Sequence, residues 1–304
     1  GLGTQIVRTL IQGELGGTFN TDRVDRSHPY ISVDMSRCVD CYRCVRICEE
    51  LQGQSVWHAL GRGADVHMVP DSGTTLAESS CVGCGACVDT CPTAALLDRP
   101  NLGQPAAEKW TRSVCAYCGV GCEIEIGTTA EAIVAIRPAL DAPVNKGHLC
   151  AKGRYGHAHV QSPERVRRPL LRQDDGRWRE TDWPQAFASV AQRLQTIIDV
   201  HGPDAVGVLG SARATNEENY LTQKFARLVV GSNNVDCCAR VCHTPSAAAM
   251  KLMLGTGAAT NSFDDIEAAQ CFLIVGANPS ESHPVVGARI KQRLLRGAAP
   301  AIVI

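Results

Sequence analysis

Cys38-Val-Asp-Cys41-Tyr-Arg-Cys44-Val-Arg-Ile-Cys48, then Cys81-Val-Gly-Cys84-Gly-Ala-Cys87-Val-Asp-Thr-Cys91-Pro92, is one pattern written twice, and it decides how the first part of the chain folds. Each run spaces three thiols two residues apart and adds a fourth after three more. Neighbouring cysteines at this spacing suit convergence on a metal group better than disulfides between adjacent positions. Zinc is the rival, since C-x2-C also serves zinc, but the additional cysteine of each triplet counts against it. Residues 34–104 are therefore expected to form one domain built on this duplication.

A 4Fe-4S cube needs four thiolates, and C-x2-C-x2-C wraps three around a corner of backbone. In two-cluster ferredoxins the last cysteine of each run ligates the other cluster. That rule assigns Cys38, Cys41, Cys44 and Cys91 to one cube, and Cys81, Cys84, Cys87 and Cys48 to the other. The first run has Glu49 where the second has Pro92, a departure that touches no ligand.

Sixteen cysteines point to a reducing compartment with metal groups, and hence to a cytoplasmic protein. With 30 Lys and Arg against 31 Asp and Glu, no net field advertises nucleic acid or membrane as a partner. No apolar run approaches the roughly 18 residues of a membrane span. At 304 residues the chain exceeds one ordinary core, so several domains are expected. It opens at Gly1 without a Met and ends in the strand-like run Ala301–Ile304, which reads as an amino-terminal fragment of a longer protein. Residues 1–33, with the glycine patch Gly13–Gly17, carry no metal motif and are read as a lead-in segment.

Beyond the loop Pro100–Pro105 a third group appears, Cys115-Ala-Tyr-Cys118-Gly-Val-Gly-Cys122, with Cys150 following. It has the ligand count for one more cube. Between them, Glu123–Ile136 alternates apolar and polar residues like a half-buried antiparallel sheet. Residues 105–164 are expected to be a small β-rich domain.

From residue 165 onward strands alternate with helices. Trp183, Phe187, Val190, Leu194 and Ile198 fall on one helical stripe closed by Gly202. Thr215 with Glu218 forms a capping box opening a helix that runs to about Val230. Ala205–Leu209, Phe272–Val275 and Ala301–Ile304 read as buried strands of parallel character. The expectation is an α+β multidomain chain whose third domain, 165–304, is a doubly wound α/β domain, incomplete at its end.

Two segments carry a resemblance. Cys115, Cys118, Cys122 and Cys150, with Asn145-Lys146-Gly147 before and Lys152-Gly153-Arg154 after, look like the amino-terminal domain of the molybdopterin oxidoreductases. The segment Asp236-Cys237-Cys238-Ala-Arg240-Val241-Cys242-His243-Thr-Pro245 resembles the formate dehydrogenases of that superfamily. The resemblance implies Cys242 as ligand to a molybdenum or tungsten ion held by bis-molybdopterin guanine dinucleotide, His243 as the proton-handling group, and Lys152 between cluster and pterin. It also extends to Gly210–Asn219 and Gly276–Pro284, which implies cofactor contacts from Arg213, Asn216, Gly276, Asn278, Pro279, Glu281 and His283, with Arg213 facing the metal or a phosphate. Oxidation of formate to CO2, or its reverse, is the implied reaction.

The doubled module upstream resembles NAD-linked formate dehydrogenases, which implies flavin- and iron-sulfur-bearing partner subunits and NAD as final acceptor. No G-x-G-x-x-G follows a strand, so NAD binding by this chain itself is not expected. The alternatives are a nitrate reductase of the same superfamily, against which Val241-Cys242-His243 argues, and a non-catalytic relay like the large iron-sulfur subunit of NADH dehydrogenase. Cys237, Cys238 and Cys271 are read as packing residues, since buried cysteine is common.

Overall fold

The computed structural model describes residues 24–297 and 299–304. They fall into two compact units: residues up to Pro163 together with Phe263–Ile304, and Glu164–Ser262. The lead-in segment lies, up to residue 23, outside the described residues. Residues 24–34 are more ordered than expected. Val24–Asp25 and Ile31–Asp34 form an antiparallel sheet with Leu96–Asp98, in the register Ile31↔Asp98 and Val33↔Leu96. The signal was the alternation Ile31-Ser-Val33-Asp, which sends two apolar side chains to one face.

This sheet closes over the helices Arg43–Glu50 and Ala86–Thr90, which carry the later cysteines of each run. A hairpin of Trp57–Leu60 and His67–Pro70 fills the stretch between the runs. Ile31, Val56, Trp57, Leu76 and Leu96 are almost fully buried, and Cys44, Cys48 and Cys87 lie in the same cluster. At about 1.5–3 kcal/mol per buried large side chain, these few residues form a small core, and thiols occupy much of it.

Buried His28 holds the entry to this sheet: its Nδ1 accepts hydrogen bonds from the amides of Tyr30 and Ile31, each at 3.1 Å. Burial lowers its pKa, against the opposing pull of Asp25. A folded-state pKa below the unfolded value near 6.5 means that this stability is present above pH ~6.5 and lost as pH falls through the folded pKa. Protonating Nδ1 leaves two backbone donors unsatisfied, at about 1–3 kcal/mol each. Hydrogen exchange at Tyr30 and Ile31 should therefore accelerate between pH 7 and 5 beyond its intrinsic pH dependence. A wild-type protein whose exchange at these amides shows no such excess would contradict this role.

The next 50 residues match their sequence pattern. Lys109–Val114, Glu123–Thr128 and Ile133–Pro138 form a three-stranded antiparallel sheet, with Ile124, Val134 and Ile136 buried. The helix Pro284–Leu295 packs in the same unit: Val285 joins the cluster of Val120, Cys122, Ile124, Ile136 and Leu149. Buried Arg289 of this helix donates to the carbonyls of Phe263 and Val144, while Lys291 reaches Gln54 Oε1 at 2.7 Å and Gln292 reaches the Leu51 carbonyl.

In the second unit, Asp182 caps the helix Trp183–His201 by accepting from the Gln185 amide, and Gly202 ends it. Thr215 and Glu218 form the expected capping box on Asn216–Lys224, which continues as a π-helical turn over Phe225–Val230. Val208–Gly210 pairs in parallel with Val235–Cys237, and in the first unit Phe272–Ile274 pairs in parallel with Ala301–Val303. These are two separate two-stranded sheets.

The expectation of buried strands fails here. Leu209, Leu273, Ile302 and Val303 are exposed, as are Trp183, Phe187 and Val190 of the helical stripe. Burying both faces of a parallel strand needs a layer on each side, and no described element covers these faces. No helix among the described residues is long and apolar enough to cross a membrane.

Candidate metal and cofactor site

Cys38, Cys41 and Cys44 line one cavity together with Cys91. Cys81, Cys84 and Cys87 line another together with Cys48. Local backbone produces this arrangement. Tyr42 (φ 59°) and Gly85 (φ 76°) adopt the left-handed conformation between the second and third thiols of each run, turning the chain into the helix that carries the rest.

Cys115, Cys118, Cys122 and Cys150 form the third gathering: burial, and then charge on Cys118 and Cys150, raises the thiols of Cys115 and Cys122. The Cys115 amide donates to the Cys122 carbonyl at 2.8 Å, which closes the loop. Gly153 packs against it; a Cβ there would stand 3.5 Å from Cys115 Sγ and 2.6 Å from Leu149. Buried Asn145 holds the approach to Cys150, accepting from the Glu123 amide and donating to the carbonyls of Glu123 and His148.

These donor sets fit iron-sulfur cubes. Burial, with neighbouring thiols adding to it, pushes Cys44 and Cys122 up to about 12. Backbone amides oppose that cost: Asp40, Val56 and Gly83 direct N–H groups at Cys38, Cys48 and Cys81 Sγ, each at 3.4 Å. Burial also raises Cys91, but the amides of Thr93, Leu96 and Ala95 outweigh it and leave the thiol below its usual value. Amides that favour thiolate inside a buried cage suit a cationic core, which supplies the remaining charge compensation. Among the described residues, no three Cys, His, Asp or Glu side chains stand close enough to hold a single metal ion.

Lys152 is exposed on the short helix after Cys150, and its Nζ donates to the Glu281 carbonyl at 3.1 Å. Lys152, Glu281, Ser280, Cys150 and Cys84 line one further cavity. Two segments singled out in sequence, 150–154 and 276–284, are therefore brought together. Gly276 follows the strand Phe272–Ile274, with its amide on the Ile304 carbonyl; Gly276, Asn278, Glu281 and His283 are exposed, and Pro279 is half-buried.

In the second unit a cavity opens where the parallel strands Val208–Gly210 and Val235–Cys237 end. Gly210, Ser211, Asn219, Arg227 and Asp236 line it. Asn219 shapes the loop, accepting from the Ser211 amide and donating to the Ser211 and Thr215 carbonyls. Arg213 and Asn216 are exposed and are not among its lining residues. Cys242 ends the short helix Ala239–Cys242, and His243 sits at the break before the helix Thr244–Leu254; both are exposed. Cys238 and Cys271, read as packing residues, are exposed as well; Cys237 is half-buried. Cys238 Sγ accepts from the Ala212 amide at 3.3 Å.

Sequence reasoning passed over two polar residues in this region. Arg154 is buried in contact with Asp89 and Asp98, and Gln52 has a buried Oε1 without a hydrogen-bond partner. Arg154 stands inside the quoted Lys152-Gly153-Arg154, but its partners lie 65 and 56 positions away, beyond any local pattern.

Comparison with known proteins assigns each region. Residues 28–97 match the ferredoxin-like domain of NADH-quinone oxidoreductase subunit 3, residues 108–162 the molybdopterin oxidoreductase Fe4S4 domain, and residues 165–304 molybdopterin oxidoreductase. The chain is 34% identical over 314 residues to a provisionally named oxidoreductase of Bacillus subtilis (strain 168), the alignment covering 90% of this chain and 32% of that protein. It is 33% identical over 304 residues to a provisionally named formate dehydrogenase of Staphylococcus aureus (strain USA300), covering 87% and 31%. The chain thus spans about a third of the length of these curated relatives. Among solved structures, acetylene hydratase from Pelobacter acetylenicus aligns at a TM-score of 0.48 and 23% identity, over 63% of this chain and 26% of that one.

Proposed function

The chain belongs to the molybdopterin oxidoreductase family, and on that footing we propose that it interconverts formate and CO2, passing electrons out through three 4Fe-4S clusters. Cys38, Cys41, Cys44 and Cys91 hold one cluster, Cys48, Cys81, Cys84 and Cys87 the second, and Cys115, Cys118, Cys122 and Cys150 the third. Domains at 34–104, 105–164 and 165–304 carry, in order, the first two clusters, the third, and part of the site for a guanine-dinucleotide pterin with molybdenum or tungsten. When bound, that metal centre supplies the two-electron acceptor for formate.

The observation that carries the proposal is the exposure of Cys242 and His243 at a helix break in a chain whose other motif cysteines are gathered into cages. Cys242 offers a soft thiolate to the metal, and His243 beside it carries the proton on an imidazole nitrogen. Lys152, held on the Glu281 carbonyl, ties the third-cluster loop to the 276–284 loop and favours negative charge on either side. Cofactor contacts are proposed for Arg213 and Asn216 in the second unit and, separately, for Gly276, Asn278, Pro279, Glu281 and His283 in the first, each set following a strand. Flavin- and iron-sulfur-bearing subunits receive the electrons in the cytoplasm and deliver them to NAD.

The test is elemental analysis of the complete, anaerobically purified complex, with formate added under electron paramagnetic resonance. Molybdenum or tungsten, iron for three cubes, and cluster reduction by formate are expected. Zinc in place of iron, or clusters that formate leaves oxidised, would sink the proposal.

A further inference from the structure

Arg154 is a buried cation with two carboxylate partners, and it joins the region of the third cysteine set to the doubled module. It stands four residues after Cys150 and is 2% exposed. Its Nη1 donates to Asp89 Oδ2 at 2.9 Å, Nη2 meets the other Asp89 oxygen, and Nε and Nη2 reach the two oxygens of Asp98 at 3.2 and 3.3 Å. Tyr155 adds a hydroxyl hydrogen bond to Asp98 at 2.6 Å and stacks on Tyr30 at 4.5 Å between ring centres.

The guanidinium also lies against the backbone between two cysteines of the second set. Gly85 follows Cys84 at φ +76°, and a Cβ there would come within 2.5 Å of Arg154 Nε. Gly85 adjoins Cys84, so the guanidinium stands beside the backbone that carries this thiol. Asp89 lies between Cys87 and Cys91, so the contact grips the turn that holds these thiols. Cys84 and Cys150 line the same cavity.

We propose that Arg154 is a positioning residue for electron transfer, holding the Cys84 side of the doubled module against the Cys150 side of the third set and placing positive charge beside the cluster at Cys84. The proposal rests on the cluster assignment above. In the step it governs, the third cluster loses one electron and is oxidised by one unit while the second gains that electron and is reduced by one; formate supplies the electrons. A fixed cation beside the acceptor favours the added negative charge, and a two-pronged contact to carboxylate fixes geometry as a lysine cannot.

The test uses Arg154→Gln and Arg154→Lys in the complete complex, with potentials from redox titration monitored by electron paramagnetic resonance and with formate-driven reduction of each cluster followed by rapid freezing. Arg154→Gln is expected to keep the iron content, to make one cluster of the doubled module harder to reduce by roughly tenfold in equilibrium, about 59 mV for one electron, and to slow its reduction about tenfold. Arg154→Lys should restore the potential but not the rate. Hydrogen exchange over residues 86–98 should rise in both. If Arg154→Gln loads its iron yet keeps wild-type potential and rate, Arg154 is a structural staple and the proposal falls. If that variant fails to load, Arg154→Lys decides, and a wild-type rate in it overturns the positioning role. Absence of cluster signals in the wild-type complex would instead remove the cluster assignment itself.

Discussion

Cys242→Ala in the complete complex is expected to lower formate turnover by about 10³-fold or more while all three cluster signals persist. The magnitude is that of removing a group on which bond breaking depends. The substitution separates chemistry from folding because Cys242 is exposed: its side chain fills no core, and surface replacements of this kind change stability by about 0.5 kcal/mol or less. An unchanged melting transition and iron content alongside lost turnover would place the fault at the metal centre. Turnover within a few-fold of wild type would remove Cys242 from the reaction.

Cys87→Ser should have the opposite profile. Cys87 is 6% exposed, shares a cavity with Cys48, Cys81 and Cys84, and is held well above the usual thiol pKa, chiefly by burial and then by the neighbouring thiols, with a hydrogen bond from Trp57 opposing. Serine is nearly isosteric, so lost packing alone accounts for less than about 1.5 kcal/mol. Losing the group that fills the cavity removes much more, because metal-group binding and folding are coupled in small domains with few apolar residues. A fall of about 3 kcal/mol or more in denaturant stability, with iron for one cube missing, is expected. Full iron and unaltered stability would show that Cys87 is no ligand.

Much of the site was legible because its signals are local. The three-residue spacing within each cysteine run, the capping box at Thr215 and Glu218, and the alternation through Glu123–Ile136 each concern residues within one or two turns or one strand, and each appears in the structure. The exposed position of Cys242 was not legible, because burial depends on what packs over a residue. Cysteine is usually buried, yet Cys242, at the end of the short helix Ala239–Cys242, lies open. The exposure of Leu209 and Leu273 was missed for the same reason. An apolar strand records a preference for cover, and no described element supplies it.

By itself, the sequence determined the spacing of the cysteines and how the backbone bends beside them. Tyr42 and Gly85 occupy the same place in each cysteine run, and helix and strand periods follow from steric limits acting over a few residues. Tertiary structure alone decided that Arg154 finds Asp89 and Asp98, and that residues 263–304 join the unit of the cysteine cages. Many long-range pairings are compatible with one local pattern. The choice among them is made by shape and charge when whole faces meet, and no short stretch of residues encodes that.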